Sequence, residues 1–105
     1  MRPLVPRVIA EMFGTFVLIL FGAGSAVINS FPNAQYGVFG IAVVHGIALA
    51  IAISATMAIS GGHLNPAVTI GLLSIKKISA PDAFAYVVAQ LSGGLLGALA
   101  VKTLV

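Results

Sequence analysis

Apolar and polar positions alternate along this chain in long blocks rather than with the short period of an amphipathic surface helix. A run from about residue 8 to residue 28 is apolar but for a few small polar residues and Glu11. The polar stretch NSFPNAQ (29–35) interrupts it, with Pro32 and Asn33 as breakers. A second run covers residues 38–59, with His45 as its strongest polar interruption, and a last one covers residues 82–105. Each is close to the ~20 apolar residues that cross a bilayer, so the pattern predicts three transmembrane helices. A secretory leader would also place basic residues before an apolar run. The first run is longer than the usual 7–15-residue signal core and contains Glu11, so a first membrane span is expected instead.

The segment at 60–74 behaves differently. Gly61 and Gly62 disfavour a helix, Asn65-Pro66 is a turn or helix-start pair, and the apolar stretch after it is short. A helix from residue 66 to 74 would extend only about 13 Å, less than half of the ~30 Å hydrocarbon core. Such a segment lies at the interface or dips into the membrane and returns. Ser79 and Asp82 suit the N-cap and first turn of the last helix.

Composition excludes most alternatives. Of 105 residues, 60% are hydrophobic and 7% charged, whereas soluble domains carry about 25% charged residues. No Asp, Glu, Lys or Arg lies between Glu11 and Lys76, or between Asp82 and Lys102. With no cysteine there is no disulfide framework and no thiolate ligand. Glu11, Asp82, His45 and His63 do not form a recognisable catalytic or metal-binding group, so neither an enzyme nor a cofactor is expected. The net charge of +3 comes from five basic residues beside apolar spans, which reads as membrane topology rather than nucleic-acid binding. Arg2, Arg7, Lys76 and Lys77 fall on one side of a three-span arrangement and Lys102 on the other. That bias predicts a cytoplasmic N-terminus. Small residues recur every fourth position, as Ala42, Gly46, Ala50, Ser54 and Ala58 in the second span and Ala89, Gly93 and Gly97 in the third. This spacing predicts close helix packing in lipid.

If SGGHLNP reaches mid-membrane, its non-helical backbone must line a water-filled cavity or be buried in protein. Gly61 and Gly62 would let carbonyls face one way as acceptors. Asn65 would cap the half-helix and present its amide, and Pro66 would begin the helix without an N–H to satisfy. A positive helix end at that depth disfavours cations. Acceptors leading to such a donor describe a path for small neutral polar molecules.

SGGHLNPAVT resembles the signature of the aquaporin, or major intrinsic protein, family. AEMFGTFVLILFGAGSAV and YVVAQLSGG resemble its first and third helices. The resemblance implies an all-α membrane protein of three transmembrane helices and one re-entrant half-helix, the first inverted repeat of the aquaporin fold. It implies a passive channel for water, and for glycerol or other small neutral solutes, in the cell membrane. Asn65, Pro66 and Ala67 match its first NPA motif, and carbonyls of Gly61, Gly62 and His63 would line the pore. His45 matches a selectivity-filter position, the alternative being a packed histidine bonded to a carbonyl. Glu11 and Gln90 would brace the loop, unless Glu11 only sits at the interface, while Phe13, Phe16 and Phe21 would face lipid or pack. The sequence departs from the family pattern where no second NPA exists and Val68, not arginine, follows Ala67. The chain would therefore need a second aquaporin half or an antiparallel copy of itself, and pores would gather as a homo-tetramer. A non-conducting membrane module is the remaining alternative.

Overall fold

A computed structural model describes residues 2–105. It contains four helices, α1 (Leu4–Asn29), α2 (Gly37–Ser60), α3 (Pro66–Ser74) and α4 (Ala80–Leu104), and no strand among the described residues. The protein is all-helical, and α1, α2 and α4 are long and apolar enough to cross a membrane. At 1.5 Å per residue each exceeds the ~30 Å hydrocarbon core, and the molecule measures 47 Å along its longest axis. The nine residues of α3 fall well short of that core.

α1 begins at Leu4, earlier than the apolar pattern indicates, because prolines are tolerated before and within a first turn. Pro3 occupies the N-cap and Pro6 sits where the backbone N–H has no intrahelical partner. α4 begins at Ala80, with Ser79 Oγ accepting from the Asp82 N–H at 3.4 Å. Arg7 and Asp82, both near helix starts, form an ion pair at 3.2 Å, so α1 and α4 run parallel. α1 is the central element, packed between α2 and α4, and α3 lies against α4.

Close packing rests on small residues, though in α2 not on the expected ones. In α4, Ala89, Gly93 and Gly97 are buried as the spacing implies. A Cβ on Gly97 would approach the Phe16 carbonyl oxygen to 2.9 Å, and one on Gly93 would collide with the Met12 carbonyl. In α2 the ladder Ala42, Gly46, Ala50, Ser54 and Ala58 is exposed in this chain. The stripe turned inward is Ala48, Ala52, Thr56 and Ser60. It is offset by two positions, about 200° around the helix, which is nearly the opposite face. α2 is apolar all round, so its pattern does not mark which small-residue stripe packs.

At the far end from Arg7, residues of α1, α2 and α4 line an apolar groove of about 860 Å³, among them Phe21, Ile28, Phe39, Val43 and Leu104. The α1–α2 turn is tied by the Gly37 N–H donating to Asn29 Oδ1 at 2.7 Å and by the Tyr36 hydroxyl donating to the Ser25 carbonyl.

Candidate functional site

The segment between α2 and α3 is non-helical because its sequence supplies left-handed positions. Gly61 and Gly62 take φ of 92° and 64°, a region open to glycine at little cost. Gly61 ends α2, its N–H donating to the Met57 carbonyl at 3.0 Å. Leu64 also has a positive φ, 56°, which costs a side-chain-bearing residue roughly 1–2 kcal/mol. It is held there by packing and hydrogen bonds. Leu64 is buried, and its side chain fills the notch left by Gly14 of α1, where a Cβ would collide with it.

Glu11 organises this segment. It is fully buried and accepts four hydrogen bonds. Oε1 receives the Leu64 N–H at 2.8 Å and Gln90 Nε2 at 2.7 Å. Oε2 receives Ser60 Oγ at 2.6 Å and the His63 N–H at 3.1 Å. A carboxylate has about four lone-pair directions, so its accepting capacity is filled by neutral donors from α2, the loop and α4. Thr15 Oγ1 completes the hold by donating to the Leu64 carbonyl at 3.3 Å.

Gln90 reaches the same place from α4. Its Nε2 donates to Glu11 and to Thr69 Oγ1, the latter at 2.9 Å, and Thr69 Oγ1 shares a hydrogen bond with His63 Nδ1 at 2.9 Å. Gln90 Oε1 is buried with no partner among the described residues. His63 thus joins the cluster through both its backbone N–H and its ring.

Asn65 caps α3. Its Oδ1 accepts the Ala67 N–H at 2.8 Å, and its carbonyl accepts the Thr69 N–H at 3.2 Å. Pro66 occupies the first helical position. With Oδ1 turned toward the helix, the Asn65 NH₂ is the end left to donate outward. Among the described residues, no hydrogen bond is made to the carbonyls of Gly61, Gly62 or His63. His45 shares no hydrogen bond with this cluster. Its Nδ1 pairs with the Ile41 carbonyl at 2.9 Å, one turn back on α2, and its ring lies against Gly22 of α1.

Besides Thr15, Ser60 and Thr69, which join the Glu11 cluster directly, Arg7, Asp82 and Tyr86 extend it and also lie outside the expected set. Arg7 is only 8% exposed. It donates through Nε to the Tyr86 hydroxyl at 3.1 Å and through Nη1 to Asp82 Oδ2 at 3.2 Å, with its guanidinium 5.3 Å from the Tyr86 ring centroid. Tyr86, completely buried, donates to the Ser60 carbonyl at 2.7 Å, and its ring lies 4.8 Å from that of His63. A continuous polar chain therefore links Asp82 to Glu11. The signal was present in the spacing of Arg7 and Glu11, four apart on α1, and of Ala83, Tyr86, Gln90, Gly93 and Gly97 on α4. Each set lies along one helical face.

Three spanning helices with a short fourth helix entered through a non-helical, carboxylate-bound loop define a membrane protein of the re-entrant-loop type. The chain belongs to the major intrinsic protein family, whose model matches residues 2–105. It is similar to Aquaporin AqpM of Methanothermobacter marburgensis, at 42% identity over 92% of this chain and 46% of that protein. Aquaporin Z of Photorhabdus laumondii is 41% identical over 88% of the chain and 40% of its own length. Glycerol uptake facilitator protein-like 6 of Lactiplantibacillus plantarum is 38% identical over 94% and 44%. The chain thus spans less than half the length of these relatives.

Proposed function

We propose that this chain forms the first half of a passive transmembrane channel for water, and for glycerol or other small neutral solutes. The observation that carries the reading is the arrangement at Asn65. Its Oδ1 is committed to the α3 N-terminus, its NH₂ is left to donate, and the carbonyls of Gly61, Gly62 and His63 have no donor among the described residues. In this reading those carbonyls pass a solute toward the Asn65 amide. Pro66 and Ala67 start the half-helix whose positive end discourages cations. Glu11 and Gln90 brace the loop, since four filled acceptor positions hold its backbone in one conformation.

The names of the relatives, which include aquaporins and a glycerol uptake facilitator-like protein, support a channel rather than an enzyme. Because the chain covers less than half of each relative, a second half completes the pore in this proposal, with pores assembled as a homo-tetramer in the cell membrane. The N-terminus is cytoplasmic, on the side bearing four of the five basic residues. The same bias disfavours an antiparallel copy of the chain as the missing half. His45 contributes to the selectivity filter of the completed pore.

The test is osmotic shrinkage of liposomes by stopped flow, with the chain alone and with a second-half chain added. Fast water flux is expected only in the combination and is expected to collapse with Asn65→Ala. Flux indifferent to Asn65 would leave the chain as a non-conducting membrane module. In the conducting pair, His45→Phe is expected to change the ratio of water to glycerol flux, and an unchanged ratio would remove His45 from the filter.

A further inference from the structure

The chain has two histidines, and each holds its ring by a hydrogen bond at Nδ1. For His45 the partner is the Ile41 carbonyl, at 2.9 Å. A carbonyl only accepts, so Nδ1 carries the hydrogen, and a neutral ring then leaves Nε2 bare. For His63 the partner is the Thr69 hydroxyl, which can donate or accept, and its other bonds decide. Gln90 presents its NH₂ to Glu11 Oε1, because the reverse orientation would set two acceptors against each other. The second hydrogen of that NH₂ goes to Thr69 Oγ1. Thr69 is fully buried, and among the described residues His63 Nδ1 is the remaining partner of its hydroxyl. Gln90 Oε1 takes no hydrogen from it. A buried O–H is rarely left without an acceptor. Thr69 therefore donates to Nδ1, and a neutral His63 carries its hydrogen on Nε2.

We propose that the two histidines are held in opposite neutral tautomers, so that His63 offers the solute a ring N–H and His45 a bare ring nitrogen. The tautomers follow from the hydrogen bonds of this chain. Their role toward a solute rests on the channel reading above.

The placement of the His63 ring fits a donor on the path. The residue is half-buried, with its ring tilted against that of Tyr86. Nε2 would stand 3.5 Å from a Cβ on Gly61, beside the carbonyls that have no donor among the described residues. Nε2 itself has no partner among those residues. Gln90 Oε1 is the one buried side-chain nitrogen or oxygen in that condition, so Nε2 reaches the surface, and its hydrogen finds an acceptor outside the chain. Bare carbonyls can hold a solute only through the solute's own hydrogens. The His63 N–H gives the same stretch a donor that binds a solute oxygen. His45 is the converse, because its one hydrogen is committed to its own helix and what remains can only accept.

Nitrogen-15 NMR of the histidine-labelled chain in bilayers tests the assignment, because protonated and bare ring nitrogens resonate far apart. The spectrum is taken at about pH 8.5, where histidine is ordinarily neutral, and His45→Phe assigns the signals by leaving one histidine. His63 should show a protonated Nε2 and a bare Nδ1, and His45 the reverse. The same tautomer in both rings, or exchange between forms in either, would overturn the proposal. Thr69→Val, which removes the hydroxyl, should shift the His63 signals toward a mixture of the two forms and leave those of His45 in place. Thr69→Ser should keep the original pattern, with circular dichroism verifying that both variants fold. His63 signals unmoved by Thr69→Val would overturn the part given to Thr69. With a second-half chain added, magnetisation transfer from water should reach the His63 Nε2–H and not the His45 Nδ1–H. No transfer to His63 would take its ring off the path. A pair that passes no water would instead overturn the channel reading, with the tautomers still read on the chain alone.

Discussion

The two halves of α1 are built on opposite principles. Toward its start, Arg7, Glu11 and Thr15 are buried, and each is hydrogen-bonded to another element of the fold. Toward its end, Ser25 is also buried, but its hydroxyl bonds only the Gly22 carbonyl within α1 itself, beside the apolar groove of about 860 Å³. A buried polar group bonded across elements fixes their relative position, because moving either element strands a donor or acceptor. One bonded within its own helix fixes nothing. The first half of α1 therefore holds its neighbours through buried side chains of its own, whereas the second half is tied to α2 at the turn, through Asn29 Oδ1 and the Ser25 carbonyl, and by His45 lying against Gly22.

Substitutions in the two halves should differ accordingly. Glu11→Gln carries the largest expected effect, because an amide nitrogen would face two of the four donors now satisfied. Destabilisation of about 3–5 kcal/mol is expected from the stranded groups, measured by denaturant unfolding in detergent with circular dichroism. A change no larger than that of Lys102→Gln would remove the contrast altogether. Gly93→Ala comes next, since its Cβ would press on the Met12 backbone, which cannot turn aside as a side chain would. About 1–3 kcal/mol is expected from overpacking in the same unfolding experiment. Thr15→Val, which deletes one bond to the Leu64 carbonyl, should cost about 1 kcal/mol. It should also accelerate amide exchange at Leu64. Gly24→Ala in the second half should be the mildest. Its Cβ would meet only Val101 Cγ2, at an ordinary 3.7 Å, so a gain of up to about 1 kcal/mol in helix propensity stands unopposed. Clear destabilisation by Gly24→Ala would show that the second half is as tightly specified as the first.

Long apolar runs made the three spans legible, and a length too short for the bilayer marked α3 as different. Glu11 and Gln90 were legible as loop braces through the family resemblance, to which the cost of a carboxylate within a span added weight for Glu11 alone. What stayed hidden was which surfaces meet. Arg7 and Asp82 looked like separate helix-start charges until parallel packing of α1 and α4 brought them within 3.2 Å. Tyr86 shares a face of α4 with Gln90, but that spacing alone did not single it out, because a tyrosine near the start of a membrane helix is equally at home in the interface. In α2, Ala48 and Ala50 are the same residue type and differ only in which way they point, a property decided by the neighbouring helix and not by α2.

The way Glu11 is satisfied also dictates a timetable. Its partners lie 49, 52, 53 and 79 residues away along the chain, and the last of them, Gln90, belongs to α4. During synthesis α1 and α2 can enter the membrane as complete helices, and the segment around Leu64 follows with three of the four donors to Glu11 already made. Until Gln90 arrives, Glu11 lacks one donor and α3 lacks the helix it rests on. The re-entrant loop therefore lacks its α4 bonds, from Gln90 and Tyr86, when it is made. Its hydrogen bonding is completed only once the helix that follows it is in place, and a chain halted before residue 90 would leave Glu11 one donor short.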